Sequence, residues 1–175
     1  MAEPDPADDA LSGAADPVVA GPVAADPVAA DSAAAAAQLL AERCQAEMLR
    51  ADAASAGLGI RPLAVGPGRA ELAMTVTAGM LNGHGIAHGG CVFSLADTAF
   101  AVACNSYNLV TVAAGCDIDF VEPVRAGDEL RAVASERYRR GRSGLYDVTV
   151  LRTDGTVVAE MRGRSRQLGG PLVAD

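Results

Sequence analysis

Residues 90–106 read GCVFSLADTAFAVACNS, seventeen positions that are almost all small or apolar and carry a single charge, at Asp97. A helix drawn through this stretch has apolar side chains nearly all round, from Val92 and Leu95 to Phe100 and Val102. Such a helix has to be covered on most sides. The flanking sequence supplies the cover. Before it, IRPLAVGPGRAELAMTV reads as two short strands around a Gly-Pro-Gly turn, with Leu72, Met74 and Val76 alternating. After it, strands are expected near 109–121, 129–140, 143–152 and 156–166, joined by EPVRAGDE, RRGRSG and RTDGT. The order is helix, two strands, apolar helix, four strands. It predicts an α+β fold in which one six-stranded antiparallel sheet wraps around a long central helix.

The segment ahead of this core has two parts. Residues 1–31 are built from Ala, Pro, Asp, Val and Gly and repeat AADPV at 14–18 and 24–28, so they are expected to be a disordered tail. From Ser32 the composition turns to Ala, Leu, Glu and Arg. Leu39, Leu40, Cys44 and Met48 form an apolar stripe, which predicts a helix ending near Gly57 and Gly59. A single domain over 32–170 is the expectation, with 171–175 as a short tail.

Charge matters only by region. Residues 1–35 hold seven acids and no base, which leaves 14 bases against 15 acids in the rest. Every base is arginine, and ten of them fall between Arg125 and Arg166 against six acids. Arginine offers a fixed fork of donors that fits phosphate, although solvated strand edges explain the same residues. Nucleic acid is not expected as a partner, because the chain is acidic overall and only 3% aromatic. There is no 18-residue uncharged apolar run for a membrane span and no basic, then apolar, leader. Cys44, Cys91, Cys104 and Cys116 are scattered without CxxC spacing. Reduced thiols and a cytoplasmic location are the expectation.

The turn before the apolar helix, NGHGIAHGG at 82–90, gathers both histidines and four glycines. At the start of a helix the first N–H groups lack intrahelical acceptors, and glycine lets another molecule approach them. Donors of that kind suit an oxyanion, while a tight turn needing positive φ is the plainer explanation. Asp97 also has two readings: a cap or arginine partner, or a general base or nucleophile with a raised pKa. If Gly89 and Asp97 serve one reacting carbonyl, they cannot come from one helix. Eight residues at 1.5 Å each put them about 12 Å apart along the axis. Two chains with antiparallel helices would then share each site, which makes an obligate dimer. Metal binding by His84 and His88 requires helix where glycines argue against it. Ser94 lies in no GxSxG elbow, and neither a phosphate-binding GxxxxGK[ST] nor a GxGxxG is present.

Four segments together, TVTAGMLNGHGIAHGGCVFSLADTAFAVACNS, CDIDFVEPVRAGDEL, GLYDVTV and RGRSRQLGG, closely resemble the PaaI-type acyl-CoA thioesterases of phenylacetate degradation. The resemblance runs from about Met48 to Gly170. It implies the hotdog fold, dimers that pair into homotetramers, and hydrolysis of aryl-acyl-CoA thioesters such as ring-hydroxylated phenylacetyl-CoA. By the same resemblance Asp97 is the catalytic carboxylate, and Gly89 supplies the N–H that polarises the thioester carbonyl. His88 shapes the turn and is a candidate contact for the thioester, and Asn82 orients water or the acyl group. Related enzymes hold the water with a Ser or Thr on the following strand. Here that stretch reads TVAAGCD, Thr111 is the nearest hydroxyl, and the role stays unassigned. Arg139, Arg140, Arg142 and Arg164 are the candidates for the CoA phosphates. No metal or resident cofactor is implied, since CoA is part of the substrate. A hotdog enoyl-CoA hydratase or dehydratase and a non-catalytic acyl-CoA-binding module are the competing expectations.

Overall fold

A computed structural model of the chain describes residues 27–174. Helix α1 spans Pro27–Ala51 and α2 spans Ala53–Gly57, followed by the strands β1 (Arg61–Gly66) and β2 (Arg69–Thr75). Helix α3 covers Gly89–Asn105, and the chain ends in β3 (Thr111–Phe120), β4 (Glu129–Arg140), β5 (Ser143–Arg152) and β6 (Val157–Gln167). All six strands form one antiparallel sheet in the order β1-β2-β4-β5-β6-β3. The wrapped sheet expected from the element order, which is the hotdog fold that the resemblance implied, is the architecture observed.

Of the expected tail, residues 1–26 lie outside the described residues, and α1 already includes 27–31 rather than starting at Ser32. The helix expected to continue to Gly57 is instead broken at Asp52. Its carboxylate accepts the Ser55 N–H at 2.9 Å and the Ser55 hydroxyl at 2.6 Å, with backbone φ −91° and ψ 85°. A short acidic side chain that captures nearby donors favours a cap over a continuous helix. At the other end, Asn108 accepts the Leu172 and Val173 N–H groups, both at 2.8 Å, and returns a bond to the Val173 carbonyl at 3.0 Å. Residues 172 and 173 are thus tied to the connection after α3.

The inner face of the sheet and α3 make the core. Leu72 and Met74 of β2, Leu130 and Ala132 of β4, and Val148 and Val150 of β5 are fully buried against α3. On the helix, Leu95, Ala96, Ala99, Phe100 and Ala103 face them with no exposed surface. The alanines hold the helix close to the sheet, and Phe100 fills the space left, its ring 5.4 Å from that of Tyr146. Gly163 lies directly under that ring: a Cβ there would sit 2.9 Å from three Phe100 carbons. The cover is not complete. Gly90, Ser94, Asp97 and Ala101, spaced four, three and four residues apart, form a stripe of α3 that sheet and α1 cover only in part.

The sheet's two edges differ. Along β1 the edge is blunted by Pro62, by an irregularity between Pro62 and Ala64, and by Gln38 of α1, whose amide donates to the Val65 carbonyl at 2.8 Å. Strand β3 pairs only with β6, and its Val112 and Phe120 remain 43% and 54% exposed. The outer face of the sheet is polar. Arg162 pairs with Asp147 at 2.8 Å and Arg131 with Glu71 at 3.3 Å across strands.

The Phe100–Gly163 contact gives a paired expectation for urea unfolding. Phe100→Ala should lose about 3–5 kcal/mol through the cavity it leaves. Gly163→Ala should lose about 1–3 kcal/mol through overpacking against the same ring. A Gly163→Ala protein as stable as wild type would show that the ring yields freely.

Candidate active site

The glycine-rich turn is locked from both sides. The Asn82 N–H bonds to the Ile86 carbonyl at 2.8 Å, its own carbonyl accepts from Gly85 at 3.0 Å, and its side-chain oxygen accepts the His84 N–H at 2.9 Å. Gly85 takes φ +73°, so here the conformational freedom of glycine is used. Ala87 then donates to the Val124 carbonyl and His88 to the Met80 carbonyl, both at 2.8 Å. These bonds fix where α3 begins.

His88 is the N-cap of α3, and its Nδ1 accepts the Gly90 N–H at 3.0 Å. That bond assigns the proton of the neutral ring to Nε2. The cap satisfies Gly90 and passes over Gly89, whose N–H has no acceptor among the described residues. The result is an unpaired donor at a helix N-terminus, where the partial positive charge of the helix favours an anion. The Phe120 ring lies over it, with a ring carbon 3.0 Å from where a Gly89 Cβ would be. Gly89, Asn82, Ile86, Phe120 and Glu122 line a cavity of about 390 Å³.

Asp97 lies outside this cavity. It is half-buried rather than enclosed, on the partly covered stripe of α3. Strand β3 runs beside α3 in the opposite direction, and the two rises match. Four residues of strand advance about 13 Å and eight of helix about 12 Å. Phe120 therefore meets Gly89, and four residues earlier Cys116 meets Asp97, with Sγ 3.9 Å from Oδ1. Burial pushes the Asp97 carboxyl above the usual carboxylate range. The Cys116 thiol pulls it back, and the Asp52 charge pushes it up again. The expected separation of Gly89 and Asp97 along one helix is what the fold contains.

The structure brings Asn82, His88 and Gly89 together at one end of α3, while Asp97 stands two turns along. The arginines are elsewhere. Arg139, Arg140 and Arg142 cluster around the β4–β5 turn, at the end of the sheet opposite Gly89. Arg139 stacks on Tyr107, 3.6 Å from the ring centre, and Arg142 donates to the Gln167 and Leu168 carbonyls at 2.9 and 3.0 Å. Arg164 is bound to Asp117 on the outer face, and only Arg140 of the four has no polar partner among the described residues. Thr111 donates to the Leu109 carbonyl at 2.6 Å, near the C-terminus of α3 and away from Asp97. Cys116, Phe120 and Asp52 were not singled out from the sequence. The first two could have been found by laying β3 against α3 by rise; Asp52 could not, because only the helix break brings it near. Among the described residues no three His, Cys, Asp or Glu side chains cluster as a metal site would require. No described helix is long and apolar enough to cross a membrane.

A raised carboxyl pKa has a consequence for stability. The folded chain holds the Asp97 proton more tightly than the unfolded chain, whose value is near the ordinary 3.8. Stability linked to that proton is present below 3.8 and is lost as pH rises through the higher folded value. Asp97→Asn should therefore melt above wild type at neutral pH, with the gap closing toward pH 3.8. Melting curves across that range check it, and a gap that widens on acidification would contradict it.

Comparison with known proteins identifies the family. The family model described as the thioesterase superfamily matches residues 84–159. The acyl-coenzyme A thioesterase PaaI of Escherichia coli strain K12 is 47% identical over 124 residues, spanning 71% of this chain and 89% of that protein. The solved structure of the E. coli PaaI protein from the phenylacetic acid degradation operon superposes with a TM-score of 0.76 at 45% identity. It covers 77% of this chain and 97% of that one. An asparagine-to-aspartate variant of the phenylacetic acid degradation protein PaaI from Thermus thermophilus superposes with a TM-score of 0.65 at 38% identity, over 67% and 100% of the two chains. With sequence identity and overall fold in agreement, the chain belongs to the hotdog-fold thioesterase superfamily, among the PaaI-type acyl-CoA thioesterases.

Proposed function

We propose that the chain hydrolyses aryl-acyl-CoA thioesters of the phenylacetyl-CoA or hydroxyphenylacetyl-CoA kind to the free acid and CoA, in aerobic phenylacetate degradation. The observation that carries this reading is the unpaired Gly89 N–H, held open by the His88 cap beside a cavity with an aromatic wall at Phe120. The thioester oxygen takes that N–H, and the charge that develops on it is stabilised by the helix N-terminus. The carbonyl carbon is attacked by water that Asp97 deprotonates, or by Asp97 itself to give a mixed anhydride that a water then hydrolyses to the free acid and the carboxylate. The C–S bond breaks and CoA leaves as a thiolate, which takes up the proton that the water gave. Asn82 keeps its amide N–H₂ for the acyl group or the water, since its oxygen is committed to the turn.

The carboxylate is that of a second chain. Support comes from the bare β3 edge, the exposed Val112 and Phe120 on it, and the partly covered stripe of α3 that carries Asp97. Two β3 strands joined antiparallel run each Gly89 toward the partner's Asp97, so a homodimer has two sites, and pairing of dimers gives a homotetramer. The same arrangement turns the β4–β5 end of one chain toward the Gly89 end of the other. Arg139, Arg140 and Arg142 there are the phosphate-holding candidates, Arg140 first, and Arg164 is the weakest because Asp117 holds it. No metal or resident cofactor enters. The four free thiols fit a cytoplasmic enzyme.

Thiol release from phenylacetyl-CoA, hydroxyphenylacetyl-CoA and a short aliphatic acyl-CoA tests the activity. Wild type should turn over an aryl substrate, and Asp97→Ala should lower kcat by at least about a hundredfold. Equal rates in the two proteins, or no thiol release by wild type, would sink the reading. Mixing tests the shared site. Asp97→Ala and Gly89→Ala chains should each be nearly silent, the second because its added Cβ falls 3.0 Å from the Phe120 ring and closes the approach to an N–H it still carries. Randomly mixed dimers should recover about a quarter of wild-type activity, because each heterodimer rebuilds one of two sites. A mixture as silent as its parents would mean that each site is built within one chain.

A further inference from the structure

Asp97 has one side-chain hydrogen-bond donor among the described residues, and it is neither a hydroxyl nor an amide. The Cys116 Sγ approaches Oδ1 at 3.9 Å from the inward face of β3. The titratable groups that face Asp97 are few. Cys116 comes from β3, Asp52 from the junction of α1 and α2, and Cys104 from two turns further along α3. Asp52 does not titrate with them, since Ser55 bonds its carboxylate twice and holds it below the usual carboxylate range. A fixed anion thus stands on one side of Asp97 and a neutral S–H on the other. Thr98, the next residue of α3, is taken up by Ser55 at 2.9 Å and the Ser94 carbonyl at 2.8 Å, so it does not compete for Asp97.

We infer that Cys116 is a positioning residue for the reaction: its thiol holds Oδ1 of Asp97, which turns Oδ2 toward the substrate. This rests on Asp97 being the reacting carboxylate. The choice of sulfur has a physical reason. A thiol is a weak donor, so it orients the carboxylate without drawing off the basicity that attack or proton removal needs. A hydroxyl at the same place would stabilise the anion more and make it a poorer base. The thiol stays protonated in this role. Burial, with the Asp97 charge second, holds the Cys116 pKa above the usual thiol value, so Cys116 donates and does not itself attack.

The test compares wild type, Cys116→Ala, Cys116→Ser and Asp97→Ala as full-length proteins hydrolysing phenylacetyl-CoA across pH, with melting curves for each. Cys116→Ala removes the donor. It should lower kcat at neutral pH at least about threefold, leave KM within twofold, and move the acid limb of the kcat profile to higher pH. Cys116→Ser restores a donor and should return the acid limb to the wild-type position or below it. If Cys116→Ala melts like wild type and keeps its kcat and acid limb, the role is overturned. It is equally overturned if Cys116→Ser fails in the same way as Cys116→Ala, since sulfur packing and not donation would then be what matters. An active Asp97→Ala overturns the parent reading and this one together, whereas a silent Asp97→Ala beside an unperturbed Cys116→Ala overturns this one alone.

Discussion

Helix α3 is what the sheet is shaped around. Its alanines at 96, 99 and 103 let the strands approach, and its one large buried aromatic, Phe100, reaches a strand that has given up its side chain at Gly163. A flat sheet could cover only a narrow stripe of such a helix, so the strands have to curl. They still cannot close around it, because one chain supplies six strands and the sheet ends at β3. The stripe left over carries Asp97. An acid on the sheet-facing side would be sealed against apolar strands, where an unpaired carboxylate costs several kcal/mol. On this stripe it is only half-buried, with an S–H within reach.

The positions of the chemical groups follow from two rises. A strand advances more than twice as far per residue as a helix. Inward residues of β3 four apart therefore match helix positions eight apart. Phe120 pairs with Gly89 and Cys116 with Asp97, and each group of the proposed reaction has a β3 neighbour. The same geometry keeps the oxyanion donor and the carboxylate of one chain apart. In the proposed dimer a second copy resolves that separation without new parts. It also covers a sheet edge that, unlike β1, has neither a proline nor a hydrogen bond from α1 among the described residues to discourage pairing with the wrong strand.

Much of this was legible in the residues. The apolar run at 90–106 could be nothing but an enclosed helix, and alternation marked the strands, so the element order and the wrapped sheet were readable from the chain alone. The turn also declared itself, because two histidines and four glycines in nine residues have few uses. What the sequence hid is of another kind. The break at Asp52 depends on where one side chain finds donors, and helical composition runs through it unchanged. The sequence offers His88 as part of the turn and as a contact for substrate, and it does not show that Nδ1 accepts the Gly90 N–H. The arginine-rich strands read as one positive surface. Cross-strand neighbours neutralise much of it, since Asp147 takes both Arg162 and Arg137 and Asp117 takes Arg164. A linear count of charges does not know the register of a sheet.

In the proposed reaction, Asp97 sets function against stability in one side chain. The fold could have made it comfortable by placing an arginine beside it, and the chain has fourteen. Ion pairing would lower the carboxyl pKa and yield an inert anion. Instead the charge that acts on it is another carboxylate, Asp52, whose pKa the Ser55 hydrogen bonds lower. That arrangement disfavours the folded state at neutral pH while raising the basicity of the carboxylate. A group left in an unfavourable field, with one weak donor to orient it, is what a structural acid would avoid and what a reacting acid requires. The helix break at Asp52, far from the glycine turn in sequence, is thus part of the site's electrostatics, and the architecture of α1 and α2 bears on the chemistry proposed at α3.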